Sequence, residues 1–240
     1  MSGTGEAVRT VLRGLGQTLI TLGVVVLLFC IYELKVTNVV AGRAQDQLGD
    51  QLSRTWAEAP PVAPVPRASA APAATAAPVV PPLPGNAFAR LHVPALEGYG
   101  SKVVVEGVSV EDLKKGGPGH IPETALPGDL GNVVLSGHRT TYGAPFSRWD
   151  ELGTGDEVVV ETRDGWFTYT VTGSQIVAPT AVEVTYAVPG NPTAAPKKRL
   201  LTMTTCNPKY SARERLIVSA ELTAASRKSD GPPAALAAGV

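Results

Sequence analysis

The alternation of apolar and polar positions divides the chain into an apolar run, a polar and proline-rich stretch, and a region of short β-like runs. Residues 14–32 read GLGQTLITLGVVVLLFCIY, with no charged side chain between Arg13 and Glu33. At about 1.5 Å of rise per residue, a helix of this length crosses most of a hydrocarbon core of about 30 Å, so a transmembrane anchor is expected here. A secretory signal peptide is the competing reading. Its apolar core is normally shorter and ends in an A-x-A-like cleavage site, and none closely follows Tyr32. Arg9 and Arg13 precede the span, and Glu33 and Lys35 follow it. The positive-inside rule then puts residues 1–13 in the cytoplasm and everything after Tyr32 outside, with Lys35 and Arg43 narrowing the margin.

Val36 to Trp56 is polar with a weak helical rhythm at Leu48, Leu52 and Trp56, which suggests a short stalk. Pro60 to Pro84 then carries nine prolines in 25 residues, most gaps being filled by Ala. Such a run has few backbone donors and no large core-forming side chains, so it is expected to be an extended, semi-rigid linker that spaces the following domain from the membrane. A proline-recognition ligand is the alternative. The boundaries expected on this basis are an anchor over 14–32, stalk and linker over 33–86, a single domain over 87–223, and a disordered tail over 224–240.

The domain is expected to be mainly β. Ala89–Val93, Lys102–Val105, Asn132–Leu135, Asp156–Thr162, Trp166–Thr172, Leu200–Thr204 and Leu216–Leu222 are short runs rich in Val, Leu, Ile, Thr and Tyr, separated by Gly, Pro, Asn and Asp. Within VVVETRDGWFTYTVTG, Asp164-Gly165 between two β runs is a strong hairpin signal. Helical pattern is scarce, limited to Val110–Lys115 and Ser147–Leu152. Seven or eight short strands with little helix favour a closed or nearly closed barrel over a layered α/β fold.

Charge and composition narrow the function. Lys+Arg and Asp+Glu both number 21, so no net field is available to grip nucleic acid. There is no G-x-G-x-x-G and no G-x-x-x-x-G-K-[ST], so nucleotide handling lacks a motif. The two cysteines are Cys30, inside the apolar run, and Cys206, in the β domain beyond the linker, so they are not expected to pair. Cys206 is then an unpaired thiol in an exported domain, where thiols usually become disulfides. It ends the run LLTMTT and precedes Asn207-Pro208, a strand-to-loop edge that suits a nucleophile; a buried inert cysteine or an intermolecular bridge are the alternatives.

A nucleophilic cysteine needs a proton partner and a group that holds an oxyanion. Of three histidines, His92 falls within the strand-like RLHVP and His120 within the turn-rich GGPGHIP. His138 follows the apolar NVVLSG at a strand end, where rigid support aims a side chain into a site, and is the preferred candidate. Lys209, Arg213 and Arg215 all follow Cys206 within nine residues. Arg215 opens the last strand, so a tight return would set it across from the thiol, and its planar fork suits an oxyanion better than Lys does.

Thr202-Met203-Thr204-Thr205-Cys206 resembles the T-L-x-T-C strand of sortases, with Met203 as a volume-conserving replacement for Leu. Leu135-Ser136-Gly137-His138-Arg139 resembles the segment that bears the sortase histidine, and Arg215 before an apolar strand matches the sortase arginine. GPGHIPETALPGDLGNVVLSGHRTTYGAPFSRWDEL and LLTMTTCNPKYSARERLIV are similar to actinobacterial class E sortases, and the likeness extends from Phe88 to about Leu222. The resemblance implies an eight-stranded sortase β-barrel and a cysteine transpeptidase with no cofactor. In that reading Cys206 attacks a Leu-Pro-x-Thr-Gly-like or Leu-Ala-x-Thr-Gly-like sorting signal, Arg215 steadies the oxyanion, and His138 is the general acid and base. The implied partners are surface proteins carrying the signal and a lipid-linked peptidoglycan amine. Tyr142 and Thr205 are candidate substrate contacts. No acidic cluster matches the calcium site of some class A sortases, so no metal is expected. Another exported cysteine hydrolase, an L,D-transpeptidase and a non-catalytic surface module remain alternatives; the second normally shows a Ser-His-Gly-Cys-like run, which Thr204-Thr205-Cys206 does not.

Overall fold

Eight strands close on themselves: β1 (Ala87–His92), β2 (Ser101–Glu106), β3 (Gly119–His120), β4 (Gly131–Ser136), β5 (Glu157–Thr162), β6 (Gly165–Val177), β7 (Arg199–Asn207) and β8 (Glu214–Arg227). They belong to a computed structural model that describes residues 3–58, 82–83 and 85–237. Most of the expected Pro/Ala linker therefore lies outside the described residues. Around the barrel the order is β1-β2-β3-β4-β7-β8-β6-β5, and β5 returns to pair with β1. The β2/β3 and β4/β7 pairs are parallel and the others antiparallel.

The period-two pattern explains the closure. Alternate residues such as Val133 and Leu135, Val158 and Val160, Leu201 and Met203, and Leu216, Val218 and Ala220 fill one interior core. Seven strands follow the apolar runs. The eighth, β3, is only two residues long and too short to show alternation; it is admitted at Gly119, where a Cβ would lie 2.1 Å from the Gly107 carbonyl oxygen. The Asp164-Gly165 hairpin forms as expected, with Glu161 opposite Trp166.

The ordered chain does not stop at Thr223. β8 continues to Arg227, with Ala225 opposite Phe167 and Ser226 opposite Trp166. The Ala- and Ser-rich composition suggested disorder, but the long partner strand β6 supplies a backbone ladder that these small side chains can join. A 3-10 turn (Lys228–Asp230) follows, and Lys228 ion-pairs with Glu161 and sits 3.9 Å from the centre of the Trp166 ring.

Helix α1 (Gly3–Ile31) contains Gly5–Ile31, which is long and apolar enough to cross a membrane and is not buried against the rest of the chain. A π-helical turn (Tyr32–Val36) leads directly into α2 (Thr37–Glu58). The segment expected to be a short stalk is docked on the barrel. Thr37, Ala41 and Leu52 are buried, and Ala41 meets Gly116, where an added Cβ would lie 2.8 Å away. Gln45 accepts from the Val103 N–H at 2.8 Å and donates to the Lys115 carbonyl at 3.1 Å. Asn38 Oδ1 accepts from the Gly143 N–H at 2.8 Å, and Arg90 donates to the Gly49 carbonyl at 2.9 Å and to Ser53 Oγ at 2.6 Å. The docking face is made mostly of small and polar residues, which is why hydropathy showed only its Leu48–Leu52–Trp56 end.

Two short α-helices, α3 (Val110–Leu113), capped by Ser109, and α4 (Ala234–Ala237), and two more 3-10 turns (Trp149–Glu151 and Val182–Thr185) complete the elements of the described residues.

Candidate active site

Strand alternation gives β4, β7 and β8 a second face, opposite the core. With Val133, Leu135, Leu201, Met203, Leu216, Val218 and Ala220 pointing inward, the intervening residues face outward. These are Asn132, Val134 and Ser136 on β4, Thr202, Thr204 and Cys206 on β7, and Arg215, Ile217 and Ser219 on β8. Cys206 and Arg215 are directly opposed across the antiparallel pair, a position in which Cβ atoms stand about 4.5–5.5 Å apart. On the other side of β7, Ser136 pairs in parallel with Thr204. Two residues further on, Cys206 still lies in β7 while His138 lies in the segment just past the end of β4. The three sequence-predicted residues are thus gathered at one end of three adjacent strands.

The far end of this face is covered. The Asn132 amide donates to the carbonyls of Val184 and Tyr186, and the Thr202 hydroxyl donates to Asn132 Oδ1. These bonds hold the β6–β7 connection over β4 and β7. Cys206 itself is half-buried and forms no disulfide. Cys30, on α1, is exposed and also free.

His138 is held from both directions. Before it, the Gly137 N–H donates to the Thr204 carbonyl at 3.2 Å; at its own position, the His138 carbonyl accepts from the Phe146 N–H at 3.1 Å. Phe146 is fully buried and stacks on Trp149 with ring centroids 4.2 Å apart. Tyr142 lies beside His138, ring centroids 5.2 Å apart, with φ at 51° in the left-handed region. Burial lowers the His138 pKa below the ordinary imidazole value by penalising the charged form.

Arg215 is half-buried, and its Nη1 donates to the carbonyls of Ala212 and Glu214, both at 2.9 Å. Those bonds orient the guanidinium at the strand entry. Arg213 is an exposed loop residue whose Nε lies 4.0 Å from Glu214, and Lys209 lies 3.9 Å from Asp150.

Thr205 was expected to contact substrate, but it lies on the inward face, 2% exposed, and its hydroxyl donates to the Gly137 carbonyl at 2.7 Å. The same alternation that turns Cys206 outward turns its neighbour in. The other two histidines are engaged elsewhere. His120 is buried, with Nδ1 2.7 Å from Glu106 and Nε2 3.0 Å from the Ala125 carbonyl, while His92 pairs with Glu161 at 2.8 Å. A cavity of about 600 Å³ lies between α2 and the barrel, but none of His138, Cys206 or Arg215 lines it. Among the described residues, no group of three or more His, Cys, Asp or Glu could hold a metal ion.

Sequence reasoning left Arg139, Asn207 and Glu214 without a role. Each directly adjoins a predicted catalytic residue, and that adjacency was the available signal.

The sequence and the fold match known proteins. A sortase-domain family profile matches residues 91–223. Sortase SrtE1 of Streptomyces coelicolor is 34% identical over 231 residues; the alignment takes in 93% of this chain, which spans 60% of that relative's length. Among solved structures, sortase E from Streptomyces avermitilis is 42% identical with a TM-score of 0.57, covering 64% of this chain and 99% of its own. The SrtA sortase from Actinomyces oris is 33% identical with a TM-score of 0.62, covering 65% of this chain and 91% of its own. The chain belongs to the sortase family, whose members are cysteine transpeptidases, and its neighbours include class E sortases.

Proposed function

We propose that this chain is a membrane-anchored cysteine transpeptidase. It cuts a Leu-Ala-x-Thr-Gly-like or Leu-Pro-x-Thr-Gly-like sorting signal between Thr and Gly and joins the Thr carbonyl to a peptidoglycan amine. The observation that carries the reading is the convergence of Cys206, Arg215 and the His138 segment on one outward face of β4, β7 and β8.

In this mechanism the His138 imidazole, kept mostly neutral near pH 7 by burial, takes the Cys206 proton as sulfur attacks the Thr carbonyl. Arg215 donates to the developing oxyanion, which is worth most where water is excluded. When the tetrahedral species collapses, the C–N bond breaks and the imidazolium gives its proton to the leaving glycine amine. The acyl group is then held as a thioester on Cys206. An incoming amine attacks it, His138 removes the extra ammonium proton, and the C–S bond breaks. The proton returns to the thiolate and the product is an amide. Tyr142, beside the His138 ring, flanks the substrate.

The N-terminal region suits this chemistry. Residues 14–32 would anchor the chain with its N-terminus in the cytoplasm and its barrel outside. From Ile31 to Asn38 a helix rises about 10 Å, and Asn38 already bonds to Gly143 in the loop that follows His138. The docked α2 would therefore hold the site close above the lipid, where signal-bearing proteins and a lipid-linked amine are confined in the same thin layer. Confinement raises the effective concentration of both without any new contact.

The test uses the full chain in detergent micelles, offered peptides containing either signal, with and without a glycine-like amine. Mass spectrometry is expected to find cleavage between Thr and Gly, and an amide product that requires the acceptor. Cys206→Ala is expected to form neither product. No product from either peptide across pH 5–9 overturns the reading, and an acid product unaffected by amine would make the enzyme a hydrolase instead.

A further inference from the structure

His138, Cys206 and Arg215 have a counterpart layer beneath them. Arg139, Asn207 and Glu214 are their immediate sequence neighbours, and strand alternation turns Asn207 and Glu214 to the face opposite the catalytic one. Asn207 and Glu214 are themselves directly paired across β7 and β8. The three side chains form one connected network. Arg139 Nη1 donates to Asn207 Oδ1 at 2.6 Å and to the Cys206 carbonyl at 3.3 Å. Its Nη2 lies 3.0 Å from Asp150 Oδ1, and the Asn207 amide donates to Glu214 Oε2 at 3.0 Å.

From this arrangement we infer that Arg139 is a positioning residue for the transpeptidase reaction: its guanidinium locks the histidine-bearing segment to the carbonyl of the nucleophile and, through Asn207 and Glu214, to the arginine-bearing strand. The inference rests on the reading of the site given above.

Burial gives the first reason. Arg139 is 5% exposed, and a buried cation is costly unless it is paired and hydrogen-bonded on every side. Here it is paired with Asp150, yet Nε has no hydrogen-bond partner among the described residues. A group added only for stability would be better replaced by an apolar side chain of the same volume. A cation retained under those conditions is consistent with a geometric task. The second reason is shape. A planar fork spans a backbone carbonyl, an amide oxygen and a carboxylate at once, whereas an ammonium on a flexible stem does not fix their mutual angle.

The third reason is where the network attaches. β4 ends at Ser136, so His138 lies beyond the regular ladder. The segment is tied to β7 before the histidine by Gly137, through the Thr204 carbonyl and the Thr205 hydroxyl. After the histidine it is tied to β7 by Arg139. The imidazole is therefore suspended between two clamps on the strand that carries the thiol. Asp150, though 48% exposed, has its carboxyl held below the ordinary carboxylate range. Slight desolvation raises it, but hydrogen bonding and the charges of Arg139 and Lys209 outweigh that effect. It thus stays ionised opposite the guanidinium at neutral pH.

The experiment compares Arg139→Lys with the parent full-length chain in detergent micelles, measuring kcat and KM for sorting-signal peptide and amine. Misplacing reacting groups by about 1 Å costs about 10²-fold, so Arg139→Lys is expected to lower kcat by about that factor with KM within about twofold. In ¹³C NMR the His138 ring titration should also move from its parent position. Arg139→Lys with kcat within about twofold of the parent overturns the inference, as does a loss expressed wholly in KM. If Arg139→Lys fails to fold, Asn207→Ala, which removes one link and leaves the ion pair to Asp150, replaces it. It is expected to lower kcat about 10-fold, and an unchanged kcat overturns the inference. If the parent itself makes no amide product, the functional reading fails separately. The His138 titration then decides the positioning role, an unchanged titration overturning it.

Discussion

Adding one methyl group at Gly137 would test how tightly the histidine segment is held. Gly137 does not occupy the left-handed region, so alanine is permitted by its backbone, but a Cβ there would lie 2.9 Å from Phe146 Cδ2 and 3.1 Å from both Cε2 and Cγ. Moving Gly137 away is blocked by its two bonds to β7, the N–H to the Thr204 carbonyl and the carbonyl from the Thr205 hydroxyl. Phe146 cannot easily retreat either, being fully buried and stacked on Trp149 at 4.2 Å. Gly→Ala at a compatible site stabilises by about 0.4–1 kcal/mol through the unfolded chain, while overpacking costs about 1–3 kcal/mol. The clash wins, and Gly137→Ala should destabilise the barrel by roughly 1–2 kcal/mol, or about 3–8 °C in Tm for a domain of this size.

The same displacement reaches His138, because Phe146 N–H is bonded to its carbonyl. The contacts demand a shift of about 0.5 Å, so kcat should fall by about 10-fold, less than the roughly 10²-fold that a misplacement of about 1 Å can cost. Phe146→Leu provides the control. Alone it is mildly destabilising, but combined with Gly137→Ala it makes room for the methyl. The double variant should be more stable than the sum of the single effects by about 1 kcal/mol. Differential scanning fluorimetry and peptide turnover measure both quantities. Strict additivity, or a Gly137→Ala chain that melts and turns over like its parent, would refute the packing argument.

Three other outcomes follow from single contacts. Thr205→Val removes the hydroxyl bond to the Gly137 carbonyl and strands a buried acceptor, costing about 1–2 kcal/mol; Thr205→Ser keeps the bond and should lose only about 1 kcal/mol for one buried methyl, while leaving turnover unchanged. Gln45→Ala leaves the Val103 N–H without its side-chain acceptor, so hydrogen exchange should quicken in α2 while the barrel core stays protected; unchanged exchange in α2 would mean that the helix is held otherwise. Because burial lowers the His138 pKa, its ring should titrate below 6.5 by NMR. The folded chain then binds fewer protons there than the unfolded one, so the stability from the neutral ring is complete above pH 6.5 and declines as pH falls towards the folded value. His138→Gln should remove that part of the pH slope in Tm; an identical slope would refute the assignment.

The barrel and its central residues were legible in the sequence because both depend on repeats of two. Alternating Val and Leu mark the inward face, and a residue's parity on its strand decides whether it belongs to core or site. Cys206 and Arg215 were singled out by their places at strand ends, and parity is the information that was not applied to Thr205, whose odd position sends it inward beside Met203. The docking of α2 was illegible for a different reason. Its face is Thr37, Ala41, Gln45 and Leu52, and three of those four carry little or no hydropathic signal, since Ala41 works by being small against Gly116 and Gln45 by satisfying backbone groups of Val103 and Lys115. The end of β8 was hidden because Ala224–Ser226 are small residues with little hydropathic signal, although they pair with β6 and Ala225 packs against the core.

The same repeat of two explains why the network under the site was missed, and why it is there. A catalytic side chain at a strand end needs its backbone fixed, and the nearest groups able to fix it belong to adjacent residues, which necessarily face the other way. Asn207 and Glu214 meet across β7 and β8 because Cys206 and Arg215 do, one register step along the same ladder. Arg139 joins them from the segment that continues β4 beyond its last ladder residue. Positions flanking a strand-end nucleophile are therefore not fillers between functional residues. On the proposed reading they form the underside that sets the distance between the His138 imidazole and the Cys206 thiol, and a substitution there would act on the reaction while leaving every outward-facing residue unchanged.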